Sequence, residues 1–161
     1  MTIAHIGIGS NVGSRTEFCR RAIDELRIHP SIEVEAVSSL YETSPIGGPP
    51  QRSYVNVVIQ TDVSLEPRAL LDACKEIEHR LGREPNDIRW GPRVVDLDIL
   101  TFGDKKIVEA DLEIPHPRMT QRRFVLVPLL EIDPGASDPW GRRYADWIEE
   151  AEGEVELLEE F

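Results

Sequence analysis

Apolar positions along the chain change their spacing several times, and each change marks an element. Residues 3–8 are a mostly apolar run of strand length, followed by a glycine-rich turn, Gly9-Ser-Asn-Val-Gly13. Ser14 and Glu17 have the spacing of a capping box, and Phe18, Ala22, Ile23 and Leu26 then recur at helical spacing. Over 33–41 the pattern alternates, with Val34 and Ala36 opposed to Glu33, Glu35 and Val37, which predicts a strand. Residues 43–53 hold three prolines and two glycines and read as a long loop. Residues 54–63 are rich in β-formers. Over 66–81, Leu70, Cys74, Ile77 and Leu81 share one helical face, and Gly82 supplies the stop. A polar loop over 83–93 leads into a strand over 94–102. Beyond Gly103 come short pieces at 106–108 and 112–114, an apolar run at 124–130, and a last helix predicted from about Tyr144.

The order strand, helix, strand, strand, helix, strand predicts an α+β fold. Its expected form is a ferredoxin-like βαββαβ core, an antiparallel sheet with helices packed on one side, plus a C-terminal extension. The 161 residues suit a single domain, with residues 1–143 as its core and 144–161 as an acidic C-terminal helix or tail. We find no internal repeat.

Charge changes this picture by region. The chain carries a formal −12, but residues 144–161 hold eight acidic side chains and no Lys or Arg. The first 143 residues therefore set eighteen basic against twenty-two acidic groups, a balance of −4. An acidic surface repels nucleic-acid phosphates and argues against a DNA- or RNA-binding module. Two stretches run the other way. Residues 80–93 carry four arginines against Glu84 and Asp87, and residues 116–124 carry Arg118, Arg122 and Arg123 with no acid. A small anion could be gripped there. No apolar run approaches the roughly 20 residues of a membrane span, and the N-terminus lacks the look of a secretory signal. The two cysteines fall at apolar helical positions, as buried free thiols do. A cytoplasmic monomer with no nucleic-acid or membrane partner is the expectation.

The sharpest chemical signal is Asp96-Leu-Asp98 inside a predicted strand. Residues two apart on a strand point to one face, with Cα atoms about 6.6–7 Å apart. Two unpaired carboxylates side by side repel each other, and a hard cation with phosphate oxygens would offset that repulsion. A charged edge strand is the plainer alternative, but Val95, Leu97 and Ile99 imply a covered sheet. Arg83, Arg89 and Arg93 lie just before this strand, with Trp90, Gly91 and Pro92 among them. Carboxylates for Mg²⁺ beside arginines for oxygens are the parts phosphoryl transfer needs. His116 stands rigidly between two prolines near Arg118. Tyr54 and Asn56 share a face at a strand start, where a ring can stack and an amide can read a heterocycle's edge. The run Gly7-Ile-Gly9-Ser-Asn-Val-Gly13 fits neither a dinucleotide fingerprint nor a P-loop, so a tight turn into a helix is its expected role.

Taken together, these motifs resemble a known family. Gly9-Ser-Asn11, Tyr41-x-Thr43-x-Pro45-x-Gly47, Tyr54-x-Asn56, Glu78-x-x-x-Gly82-Arg83, Arg89-Trp-Gly-Pro-Arg93-x-x-Asp96-Leu-Asp98-Ile and Ile114-Pro-His116-Pro-Arg118-Met occur in order. They resemble the 6-hydroxymethyl-7,8-dihydropterin pyrophosphokinases of folate biosynthesis, over nearly the whole chain from Ile3 to about Trp147. The resemblance implies transfer of pyrophosphate from ATP to the pterin alcohol, with AMP as leaving group. It implies two Mg²⁺ ions held by Asp96 and Asp98, with Arg83 and Arg93 as catalytic clamps on the phosphates. His116 and Arg122 would contact ATP phosphates, and Leu71 and Glu78 would lie near the ribose and adenine. Lys75, Arg89, Trp90 and Ile99 would complete the nucleotide site. The pterin would lie between Tyr54 and Phe124, with Thr43, Pro45, Ile46, Asn56, Trp90 and Asp96 around its edge. No general base is obvious, and Asp98 is the candidate for orienting or accepting the hydroxyl proton. Pro85 and Asn86 stand where some members have arginine and lysine, Pro117 where some have tyrosine, and Lys75 where glutamine is common.

Two readings from other classes remain open on the residues alone. One is a non-catalytic ferredoxin-like module that binds a small molecule. The other is a different Mg²⁺-dependent nucleotidyl or phosphodiester enzyme built on the same carboxylates.

Overall fold

In a computed structural model, residues 1–43, 53–82 and 94–161 are described. Strand β1 (Thr2–Ser10) lies inside the sheet, paired on both sides. Ala4, Ile6 and Ile8 are buried on one face, leaving His5, Gly7 and Gly9 for the other. Helix α1 (Arg15–Ile28) follows and buries Cys19, Ala22, Ile23 and Leu26. Ser14 is its N-cap, but the side chain makes no capping bond, so the predicted capping box does not form. The helix starts instead on backbone bonds, Phe18 N–H to the Ser14 carbonyl among them.

The single strand predicted over 33–41 is two strands, β2 (Ile32–Val37) and β3 (Leu40–Thr43). The break has a local cause at Ser38 and Ser39. The Ser38 hydroxyl accepts the Val58 N–H at 2.9 Å and donates to the Ser39 carbonyl at 2.8 Å, replacing a ladder partner with a side chain. The Ser39 N–H turns away to the Glu131 carboxylate, 3.0 Å from Oε2. Both strands pair with β4 (Tyr54–Val63), which in turn pairs with β1.

Helix α2 (Pro67–Gly82) places Leu70, Cys74 and Ile77 inward, as its periodicity predicts, and β5 (Asp96–Phe102) then pairs with the free side of β1. The sheet order is β5-β1-β4-β3, antiparallel throughout, with β2 also on β4. That is the expected split βαβ arrangement. Its first core lies under α1 and α2 and includes Ile6, Ile23, Leu26, Ile59, Leu70 and Ile77, all almost fully buried. Each such side chain contributes roughly 1.5–3 kcal/mol.

The two core helices lie on one side of the sheet as expected, and the C-terminal extension adds a third helix on the other. The apolar run at 124–130 becomes α3 (Arg123–Ile132), which covers the other face with Leu126 and Leu129 against Val58 and Leu100. A small hairpin, β6 (Ile107–Glu109) and β7 (Leu112–Ile114), precedes it. The predicted last helix is one 3-10 turn, Tyr144–Trp147, and the acidic tail forms a further strand, β8 (Val155–Glu159), antiparallel on β3. A helix there would stack Glu152, Glu156 and Glu160 at like-charged i,i+4 spacing, and Gly153 has φ +108. No helix among the described residues is long and apolar enough to cross a membrane.

Candidate active site

Glycine in β1 opens the site. Gly9 pairs with Asp96 of β5 on one side and Asn56 of β4 on the other, and Gly7 sits between Asp98 and Val58 in the same way. The strand alternation turns both glycines to the face that α3 only partly covers. With no side chains rising from the middle strand, a cavity of about 320 Å³ is left between β4 and β5. Its lining joins Thr43, Tyr54, Asn56 and Phe124 with Asp96, Asp98, His116 and Arg122. Gly9 was expected to begin a turn; instead it lies within β1 and, with Gly7, floors the cavity. The alternation of Ala4, Ile6 and Ile8 against the glycines is the sequence signal that identifies that floor.

At one end the groups suit a flat, polar-edged ring. Tyr54 and Asn56 are both half-buried on the same face of β4. The Thr43 hydroxyl, itself buried, donates to Asn56 Oδ1 at 2.7 Å. That leaves the Asn56 amide nitrogen over Gly9, 2.8 Å from where a β-carbon on Gly9 would stand. Phe124 enters from the first turn of α3, with the Arg122 guanidinium 5.4 Å from its ring centre. Glu131, two turns further along α3, holds β3 in place by accepting from Ser39 N–H, the Ser39 hydroxyl and Tyr41 OH at 2.5 Å.

At the other end the groups suit charge. Asp96 is half-buried and Asp98 exposed, and both face the cavity. Among the described residues no group of three or more His, Cys, Asp or Glu forms a metal cage. Two carboxylates on one open face fit Mg²⁺, which binds through one or two carboxylates and takes its other ligands from phosphates and water. Burial holds the His116 imidazole below its ordinary pKa of 6.5, and Arg122 and Arg118 add to this while Asp98 opposes it. The Arg118 N–H donates to His116 Nδ1 at 3.2 Å. In the neutral ring the proton therefore sits on Nε2, ready to donate to an oxyanion. Burial, then Arg118, also lowers the Arg122 guanidinium, with Asp98 opposing, but an arginine stays charged.

The remaining nucleotide candidates lie across β5. Leu71 is packed on the first core, and Ile99 is buried in it, so neither lines the cavity. Glu78 accepts the Leu97 N–H at 2.9 Å and the Lys75 ammonium lies 3.4 Å from it. The Leu97 N–H thus points off the outer edge of β5. Strand alternation puts the backbone groups of Ile99 on that same edge. Pro45, Ile46, Arg83, Arg89, Trp90 and Arg93 lie outside the described residues. Cys74 is a structural thiol: burial first, then Glu78 and Asp98, push it up to about 12.

Comparison with known proteins gives the family. Residues 5–134 match the family described as 7,8-dihydro-6-hydroxymethylpterin-pyrophosphokinase (HPPK). The 2-amino-4-hydroxy-6-hydroxymethyldihydropteridine pyrophosphokinase of Bacillus subtilis is 45% identical over 130 residues, covering 81% of this chain and 77% of that protein. Its namesake in Synechocystis is 44% identical over 136 residues, covering 84% and 69%. The Bifunctional protein FolKE of Lactococcus lactis is 38% identical over 163 residues, or 99% of this chain and 46% of that one. Among solved structures, Plasmodium falciparum HPPK-DHPS with pteroate superposes with a TM-score of 0.71 at 14% identity, over 92% of this chain and 42% of that one. This last likeness bears on the fold alone, and the chain spans less than half of FolKE and of the Plasmodium protein. On the family match and the 45% identity to a relative matched over 77% of its length, the chain belongs to the 7,8-dihydro-6-hydroxymethylpterin-pyrophosphokinase family.

Proposed function

We propose that this chain, as one catalytic domain, transfers pyrophosphate from ATP to the 6-hydroxymethyl group of 6-hydroxymethyl-7,8-dihydropterin and releases AMP, a step of folate biosynthesis. The observation that carries the reading is one cavity with a ring-binding end, Tyr54, Asn56 and Phe124, and a phosphate-binding end, Asp96, Asp98, His116 and Arg122. A ring seated at the first end would have its hydroxymethyl oxygen within the same cavity as the second.

Tyr54 and Phe124 hold the pterin ring by its faces, and Thr43 and Asn56 read its edge. His116, through Nε2–H, and Arg122 hold the phosphate oxygens. Asp96 and Asp98 are the residues that would bind Mg²⁺, expected as two ions, which would neutralise triphosphate charge and favour displacement at phosphorus. The pterin oxygen forms a bond to the β-phosphorus as the bond from that phosphorus to the α–β bridging oxygen breaks. The bridging oxygen leaves with AMP, and the hydroxyl proton passes to Asp98. Arg83 and Arg93 would clamp the transferring group. Closing such a site strengthens each of these charge interactions by excluding water.

The test is incubation with ATP, Mg²⁺ and the pterin, followed by chromatography of the nucleotide. The reading requires pterin-dependent AMP without ADP. ADP as the product, or no turnover by a folded chain, contradicts it.

A further inference from the structure

The C-terminal residues touch both walls of the cavity, and they do so by backbone. Glu152 N–H donates to the Gln121 carbonyl at 2.9 Å, and Arg123 N–H donates to the Glu152 carbonyl at 3.0 Å. These two bonds bracket Arg122, whose backbone forms a parallel bridge with Glu152. Three residues later the chain enters β8, which pairs Val155 with Thr43 and Leu157 with Tyr41. β8 ends on α1, where Glu159 lies 3.5 Å from Arg20 and the Phe161 ring lies beneath Arg20 at 4.5 Å. Exposed charge pairs of this kind add little stability. Their consequence here is placement: one short segment ties the phosphate-side wall at Arg122 to the ring-side wall at Thr43.

Resting on the reading above, we propose that Glu152 and strand β8 are positioning elements for catalysis, Glu152 for the Arg122 wall and β8 for the Thr43 wall. The two contacts are separate, so breaking each should disturb a different substrate. Glu152→Pro removes the donor to Gln121. The double variant Glu156→Pro/Leu157→Pro removes a donor to β3 whichever N–H faces it, because successive N–H groups of a strand alternate in direction. Glu152→Gln keeps the backbone donor and serves as the conservative control.

Steady-state kinetics test the idea on the full chain. Glu152→Pro should raise KM for ATP about three- to tenfold and leave KM for the pterin within about twofold, on the scale of one lost hydrogen bond. The double proline variant should show the opposite split, and Glu152→Gln should match the parent. A merely structural tail would lower the active fraction and leave both KM values alone, which overturns the proposal; so does an equal rise of both in both variants. If a proline variant does not fold, hydrogen exchange on the parent chain decides. ATP must slow exchange at Glu152 and the pterin must slow it within β8; unchanged exchange at both overturns the proposal. A parent chain that makes no AMP overturns the reading beneath it instead, and the positioning role with it.

Discussion

The Thr43 hydroxyl and the Asn56 side-chain carbonyl are 2.7 Å apart, and this bond sets which way the Asn56 amide faces. With Oδ1 occupied by Thr43, the NH₂ group lies over Gly9 and is presented to the cavity as a donor. Thr43→Val keeps the shape and removes the hydroxyl. It should raise KM for the pterin roughly three- to tenfold, the scale of one hydrogen bond, with kcat changed less. Pterin titrations against the parent check this, and an unchanged KM contradicts it.

Gly9 gives a sharper test of the same geometry. A β-carbon there would stand 2.8 Å from the Asn56 nitrogen, too close to be accommodated without moving that group. Gly9→Ala should therefore raise KM for the pterin by about tenfold or more while thermal stability changes little, because the atom that must move is at the end of a side chain. A large loss of stability with normal pterin binding would contradict the floor role.

For the charged end, Asp96→Ala and Asp98→Ala should each lower turnover by orders of magnitude with the fold intact. Circular dichroism and a Mg²⁺ titration of AMP formation check this. A variant with near-normal rate and unchanged Mg²⁺ dependence removes the metal assignment.

The sequence makes the βαββαβ core legible because its two helices and buried strands repeat their apolar positions cleanly. Leu70, Cys74 and Ile77, and Ala22, Ile23 and Leu26, face inward as their spacing predicts, with Phe18 and Leu81 partly buried against the same core. The aspartate pair and Tyr54-x-Asn56 are legible for a similar reason: on a strand, spacing alone decides that two side chains share a face. What failed depended on partners distant in the chain. Ser38 and Ser39 split a strand through Val58 and Glu131, and no local pattern reveals that. The tail becomes a strand because β3 offers an edge and Arg20 a counter-charge. Gly9 reads as a turn residue in isolation, and its role depends on Asp96 and Asn56 flanking it, as that of Gly7 depends on Asp98 and Val58.

His116 yields a pH prediction. Its pKa lies below 6.5, first through burial and then through Arg122 and Arg118, with Asp98 opposing. The neutral ring therefore predominates above pH 6.5 and holds phosphate as a hydrogen-bond donor. His116→Ala should raise KM for ATP roughly tenfold. In the parent, the His116 contribution to KM, taken as the parent-to-variant ratio, should stay flat from pH 6.5 to about 8. A contribution that fades as the pH rises through that window would mean an imidazolium, and would contradict the assignment.

A second histidine, His5, yields a prediction about acid stability. His5 is 5% exposed, with Nδ1 2.7 Å from the Thr101 hydroxyl and Nε2 3.2 Å from Asp133. Burial lowers its pKa below 6.5, and this outweighs the opposing pull of Asp133 and Gln60. The unfolded chain then takes up a proton more readily than the folded one as pH falls below 6.5, so acid favours unfolding. His5→Gln removes that proton uptake. The Tm of the variant relative to the parent should rise as pH is lowered from about 7 to about 5; a difference independent of pH would contradict the neutral, buried assignment.

The most direct measurement follows one oxygen. ATP carrying oxygen-18 at the α–β bridge is turned over with the pterin and Mg²⁺, and the products are separated for mass spectrometry. Attack at the β-phosphorus leaves the label in AMP, and the account predicts this, with an unlabelled pyrophosphoryl pterin. Label in released pyrophosphate, with a nucleotidyl pterin, would mean attack at the α-phosphorus and would contradict it.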